Sequence, residues 1–215
     1  MTALLAGASG LVGREVCAQW VGPGLLHLLV RRAFAPVGAA ARLQRVHLVD
    51  FTALPALPRA DEAYCCLGTT IRAAGSQAAF RAVDHDAVLA FARAAQRAGV
   101  QRLAVVSALG ANPRSPGFYN RVKGEMEEAL AGLGFASLVI ARPSLLTGDR
   151  AALGQPPRLG ERLALAATAP LAPLIPKAWR PIAAATVARA MQRALAEARP
   201  GVRIVESSEL QELGR

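Results

Sequence analysis

The sequence predicts an α/β fold, a doubly wound parallel sheet with a small C-terminal lid. Three observations carry this. Short apolar runs alternate with longer Ala-rich helical stretches, an order that places helices on both faces of a parallel sheet. The runs are apolar almost throughout, as in LAVVS (Leu103–Ser107), which is what burial on both faces demands. The first run empties into a glycine-spaced turn, GASGLVG, that opens directly into a helical pattern.

Taken in order, Ala3–Ala6, Leu25–Val30, Val46–Val49, Ala63–Leu67, Leu103–Ser107 and Ser137–Ala141 read as strands. Leu11–Val21, Ser76–Ala98 and Tyr119–Ala131 read as helices, and Gly99 and Gly132 stand where two of them should stop. After Pro143 the regularity fails, and proline and glycine gather between Asp149 and Pro181. A last helix, Ala184–Ala198, precedes a short strand, Val202–Val205. The chain therefore reads as one domain, residues 1–215, with residues 149–183 as a lid over one end of the sheet. Its 215 residues, 53% of them hydrophobic, are ample for one core.

Composition excludes several classes. The net charge is +10, but the arginines are scattered (Arg14, Arg42, Arg59, Arg72, Arg93, Arg97), with no run beyond Arg31–Arg32. Aromatics are 5%, too few for a stacking platform, so nucleic acid is not an expected partner. The apolar stretch Leu163–Pro176 is interrupted by Pro170 and Pro173 and falls short of the roughly 18 residues of a spanning helix. No membrane partner is expected. MTALLAGASG lacks the basic n-region and cleavage pattern of a signal peptide. Cys17, Cys65 and Cys66 make neither a disulfide framework nor a metal spacing, and adjacent Cys65 and Cys66 should point to opposite faces of a strand. These features fit a soluble, reducing, cytoplasmic setting. His27, His47 and His85 lie far apart in sequence, so no metal site is expected.

The glycine turn is the first functional signal. Gly7, Gly10 and Gly13 are spaced G-x-x-G-x-x-G between a strand and a helix. Glycine allows the tight turn and lets backbone approach a pyrophosphate, while the helix start aims free N–H groups at it. Gly7, Ser9, Gly10, Leu11 and Gly13 are thus candidate contacts of a dinucleotide in a Rossmann-type fold. The second strand ends in Arg31-Arg32, where an NAD site usually carries an acid. Two guanidiniums suit a 2′-phosphate, so NADP(H) is expected over NAD(H). Asp50 and Phe51, ending the third strand, offer a seat for adenine. Leu67, Gly68 and Thr69 end the fourth strand on the same carboxyl edge.

FYNRVKGE is the second signal. The chain has two tyrosines, Tyr64 and Tyr119, and two lysines, Lys123 and Lys177, yet Tyr119 and Lys123 stand four residues apart. At that spacing they share one face of a helix. They are either an exposed aromatic and a basic residue or a proton-transfer pair. Glu125, Glu127 and Glu128 on the same helix read most simply as a solvated acidic face.

Together the glycine turn, CLGTT, YNRVKGE and ARPSLLTGDR resemble the atypical short-chain dehydrogenase/reductases, most nearly the Tat-interacting-protein oxidoreductase branch. The resemblance spans roughly Ala3 to Asp149 and continues more loosely to the end. It implies a Rossmann fold binding NADP(H), with Tyr119 and Lys123 as the family's Y-x-x-x-K pair and Ser107 where the polarising serine is sought. It places Pro143 and Ser144 along the nicotinamide. This chain departs from its relatives twice. Ala108 follows Ser107 where many carry a serine run, and Asp84 stands nearest to the asparagine of a catalytic tetrad.

On that reading the chain is an NADP(H)-dependent oxidoreductase for a small carbonyl or alcohol. Tyr119 is the general acid/base, its pKa lowered by the Lys123 ammonium, and Ser107 holds the substrate oxygen. The alternatives are an NADP(H)-holding sensor or partner-binding module without turnover, and an isomerase or epimerase that uses the cofactor transiently. The apolar face of Asp84–Ala98 (Val88, Leu89, Phe91, Ala95) either packs wholly on the sheet or joins Tyr119–Ala131 in a homodimer.

Overall fold

In a computed structural model the chain is described over residues 1–148 and 176–215. Most of the expected lid, residues 149–175, lies outside the described residues. Seven strands form one parallel sheet: β1 (Ala3–Ala6), β2 (Leu26–Val30), β3 (Gln44–Leu48), β4 (Glu62–Cys65), β5 (Arg102–Val106), β6 (Ser137–Arg142) and, after a short pair, β9 (Gly201–Glu206). Their spatial order is β3-β2-β1-β4-β5-β6-β9. The order in which strands are added reverses between β1 and β4, and open α/β sheets bind ligands in the crevice beyond the carboxyl ends of the strands at that point. The short pair β7 (Leu146–Thr147) and β8 (Ile182–Ala183) is parallel, so it joins the two ends of the undescribed segment.

Both faces of the sheet are covered. Along β1, Ala3 and Leu5 enter the core under α1 (Leu11–Ala18) and α6 (Ala184–Ala196). Leu4 and Ala6 enter the core under α4 (Ala87–Arg97) and α5 (Phe118–Ala131). This two-sided burial is why the strands are continuously apolar. Cys65 and Cys66 divide between the two cores as adjacent strand residues must. Val88, Leu89, Phe91 and Ala95 are all buried in the α4/α5 core, so the apolar face that raised a homodimer is covered by the chain's own sheet.

Three details escaped the sequence. Thr70 caps a one-turn helix, α2 (Ile71–Ala74), by accepting the Ala73 N–H. The stretch read as a single helix, Ser76–Ala98, runs as α3 (Gln77–Arg81), a π-helical turn (Ala82–Asp86) and α4. A final helix, α7 (Ser207–Leu213), follows β9. Among the described residues no helix is long and apolar enough to cross a membrane.

Candidate active site

The glycine turn joins β1 to α1 and packs against the end of β4 at the crevice. Gly7 has φ +86°, a left-handed conformation that favours glycine, and a Cβ there would stand 2.5 Å from the Cys66 carbonyl. A Cβ on Gly13 would stand 2.1 Å from the Gly7 oxygen. Packing within the chain explains both glycines. It does not explain Gly10, whose Cβ would meet nothing nearer than 3.4 Å. Gly10 opens α1 with no side-chain cap; its N–H donates to the Gly7 carbonyl at 3.0 Å and its carbonyl accepts the Arg14 N–H at 2.9 Å, so what it leaves open to a ligand is the space a side chain would fill.

The other expected cofactor contacts divide. Ser9, Arg31, Arg32 and Gly68 are exposed, and Leu11 is half-buried. Asp50 accepts from the Thr52 N–H and hydroxyl, and these bonds hold its carboxyl below the usual range. The Phe51 ring is 6% exposed and belongs to the α4/α5 core, so it offers no free face to adenine. Leu67 is buried in the same core, and its backbone N lies 2.8 Å from where a Gly7 Cβ would be. The Thr69 N–H donates to Asp84 Oδ2 at 2.8 Å.

Helix α5 carries Tyr119, Lys123 and Glu127 at successive turns, a single stripe. Tyr119 is 37% exposed, and its ring lies against Phe80 at 5.3 Å between centroids. Lys123 is 3% exposed, with Nζ 2.8 Å from Asp84 Oδ1. Burial pulls the lysine pKa down, but the Asp84 charge, Tyr119 and the Asp84 hydrogen bond together leave it above its ordinary value. The Tyr119 phenol is pushed up rather than down: burial outweighs Lys123, and Asp84 adds to the rise. The expectation of a lowered phenol is thereby corrected. Gly124 lets the loop after β5 cross α5, since a Cβ there would stand 2.1 Å from the Pro113 nitrogen. Nothing in the spacing announced that crossing.

Two serines are committed elsewhere. The Ser107 hydroxyl donates to Glu127, whose carboxylate also receives Arg142 Nε at 3.0 Å, while Arg142 reaches Glu206 at 3.0 Å. Ser107 is therefore a strut between β5 and α5 rather than a free polarising hydroxyl, and Glu127 is buried rather than solvated. The Ser144 hydroxyl donates to the Arg180 carbonyl and accepts from the Ser207 hydroxyl at 3.1 Å, so it ties down the chain on either side of residues 149–175. Pro143 is buried, and its carbonyl accepts the Leu109 N–H.

His27 and His47, distant in sequence, meet across β2 and β3 with ring nitrogens 2.8 Å apart. Among the described residues no group of three or more ligand-type side chains can hold a metal. A cavity of about 460 Å³ opens at the amino ends of the strands, lined by Met1, Asp61, Arg102 and Pro200, and contains none of the candidate site residues.

Residues 7–152 match the NAD(P)H-binding family. The chain belongs to the NAD(P)H-binding family. Protein HTATIP2 of Rattus norvegicus is 36% identical over 165 residues, covering 74% of this chain and 66% of its own length. "Protein FMP52, mitochondrial" of Eremothecium gossypii is 36% identical over 157 residues, covering 70% of this chain and 68% of its own. The chain thus spans about two thirds of the length of these relatives. Among solved structures, MoeE5 in complex with UDP-glucose and NAD superposes with TM-score 0.71 at 16% identity, over 95% of this chain and 75% of that one. The UDP-N-acetylglucosamine 4-epimerase of Methanobrevibacter ruminantium superposes with TM-score 0.68 at 15% identity, over 95% and 76%. These likenesses show the Rossmann-type fold of this NAD(P)H-binding protein, and its family is oxidoreductase-like. The expectation of a cytoplasmic setting does not stand, because the FMP52 relatives are named mitochondrial.

Proposed function

We propose that this protein is an NADP(H)-dependent reductase of small carbonyl compounds, with Tyr119 as the proton donor and Lys123 as its charged partner. The observation that carries the reading is the α5 stripe, an accessible phenol one turn before a buried ammonium. The cofactor fits the crevice. Gly10 puts no side chain between a ligand and the start of α1, and Arg31 and Arg32 stand exposed past β2 for a 2′-phosphate. NADPH, when bound, supplies the hydride.

The chain's own residues supply the proton and its placement. Tyr119 keeps its proton at neutral pH and releases it to the carbonyl oxygen as that oxygen gains charge. The phenolate left behind is stabilised by Lys123 and regains a proton from water. The substrate oxygen is assigned to Tyr119, since the Ser107 hydroxyl is held by Glu127. That commitment is also what favours the second reading, a cofactor-holding sensor without turnover.

The test is NADPH oxidation over a panel of aldehydes and ketones, run beside cofactor binding. Turnover with appearance of the alcohol supports the reductase. NADPH held tightly with no oxidation across the panel moves the weight to the sensor. Within the same experiment, Arg31→Ala should weaken NADPH about tenfold or more and leave NADH unchanged, the loss of one charge-assisted hydrogen bond. Equal losses for both cofactors would remove the NADP preference.

A further inference from the structure

We propose that His27 and His47 form a two-imidazole site for a divalent transition metal such as nickel or copper, at the margin of the sheet. The two lie far apart in sequence, and the parallel pairing of β2 with β3 brings them together. Leu26, Leu28 and Val30 enter the core under α1 and α6, so His27 points with Leu29 to the opposite face. His47 stands opposite Leu29 in the register and shares that face, diagonally across from His27. His27 Nδ1 and His47 Nε2 are 2.8 Å apart, with ring centroids 5.0 Å apart and planes inclined at 43°. Leu29 is 1% exposed while both histidines are half-buried, so the pair sits where the core meets water.

The separation of the two nitrogens is the bite of a chelate. Imidazole nitrogens bind such ions at about 2.0–2.1 Å, and two of them at a right angle stand about 2.9 Å apart. A tetrahedral ion needs about 3.3 Å, so the spacing suits square-planar or octahedral coordination. The two lone pairs must turn from each other to converge on the ion, a rotation about χ2, which is a soft torsion in histidine. One facing nitrogen carries the proton of the present hydrogen bond. A neutral imidazole can carry it on the far nitrogen instead, so both facing lone pairs are freed without loss of a proton. Burial, His47 and Arg45 hold the His27 pKa below its ordinary value, which keeps that ring in the neutral form that ligates. The Arg45 guanidinium donates to the Arg42 and Gln44 carbonyls. Its charge opposes a second cation and, with only two protein ligands, sets a moderate affinity, water filling the remaining positions. β3 is the outermost strand on this side, so the ion clips the edge of the sheet to its neighbour.

The test is calorimetric titration of the tag-free protein with nickel chloride in a non-chelating buffer, for wild type, His27→Gln, His47→Gln and the double variant. Thermal melts in EDTA establish that each is folded. Wild type should take up one equivalent of nickel. Each single variant should bind it about tenfold more weakly or worse, since a direct ligand is lost. The double variant should bind within about twofold of either single one, because two ends of one chelate are not additive. Nickel should also raise the melting temperature of wild type and leave that of the variants unmoved. No uptake by wild type, or nickel held as tightly by either single variant, overturns the proposal. Where the variants fail to fold, wild type alone decides. With one equivalent of copper(II) its electron paramagnetic resonance spectrum should show two equatorial imidazole nitrogens, and one or none is contrary.

Discussion

At the residue scale, the three glycines of one motif do different work. Gly7 and Gly13 are demanded by contacts within the chain, whereas Gly10 is not. Gly10→Ala should therefore keep the wild-type melting temperature and lose cofactor affinity. Gly13→Ala forces a methyl into backbone and should lower stability by about 1–3 kcal/mol before cofactor is considered. Melting curves and NADPH titrations of the two variants separate these effects, and matching behaviour would contradict the division. The motif was legible from spacing alone. The division within it was not, because it depends on what lies across from each Cα. Ser107 teaches the same lesson. Its place at the end of a strand was readable, but its hydroxyl is claimed by Glu127, twenty residues on, and no local pattern records that.

At the element scale, α5 is a helix whose inward stripe changes character from turn to turn. It passes from a partly exposed phenol to a buried ion pair, then to a buried carboxylate network. The network fastens α5 to β5 and β6 through Ser107, Glu127 and Arg142, with Glu206 of β9 beyond. Ser107→Ala removes one donor of several and should cost about 1–3 kcal/mol by denaturant melt with NADPH affinity intact. Arg142→Ala strands the buried Glu127 and should cost more, about 3–5 kcal/mol. A Ser107→Ala protein of full stability but with lost turnover would return the serine to catalysis. The helix itself was plain from its period. The π-helical turn before α4 was not, since an inserted residue leaves the apolar pattern almost continuous.

At the scale of the whole molecule, the parallel sheet follows from the alternation of elements, and two-sided burial explains the apolar runs. Pairings across strands, such as His27 with His47, needed the sheet to be assembled first. Burial also predicts alkaline sensitivity. The Cys17 and Cys65 thiols are pushed from about 9 to about 12, and Tyr64 and Tyr119 are raised as well, chiefly by burial. Above pH 9 the unfolded chain loses these protons first, so the folded state becomes the more protonated one and stability falls as pH rises. Each thiol contributes a loss of about 1.4 kcal/mol per pH unit between its unfolded and folded values. Melting temperature should drop steadily from pH 8.5 to 10.5, and a flat profile would contradict it.

The account turns on one phenol. Its direct measurement is kcat for NADPH oxidation with the best carbonyl of the panel, for wild type and Tyr119→Phe, alongside the NADPH Kd of each. The account predicts a loss of about 10²–10⁴ in kcat with the Kd unchanged, because the variant removes the proton donor and leaves the cofactor site intact. A Tyr119→Phe protein that keeps kcat within about tenfold of wild type would contradict it.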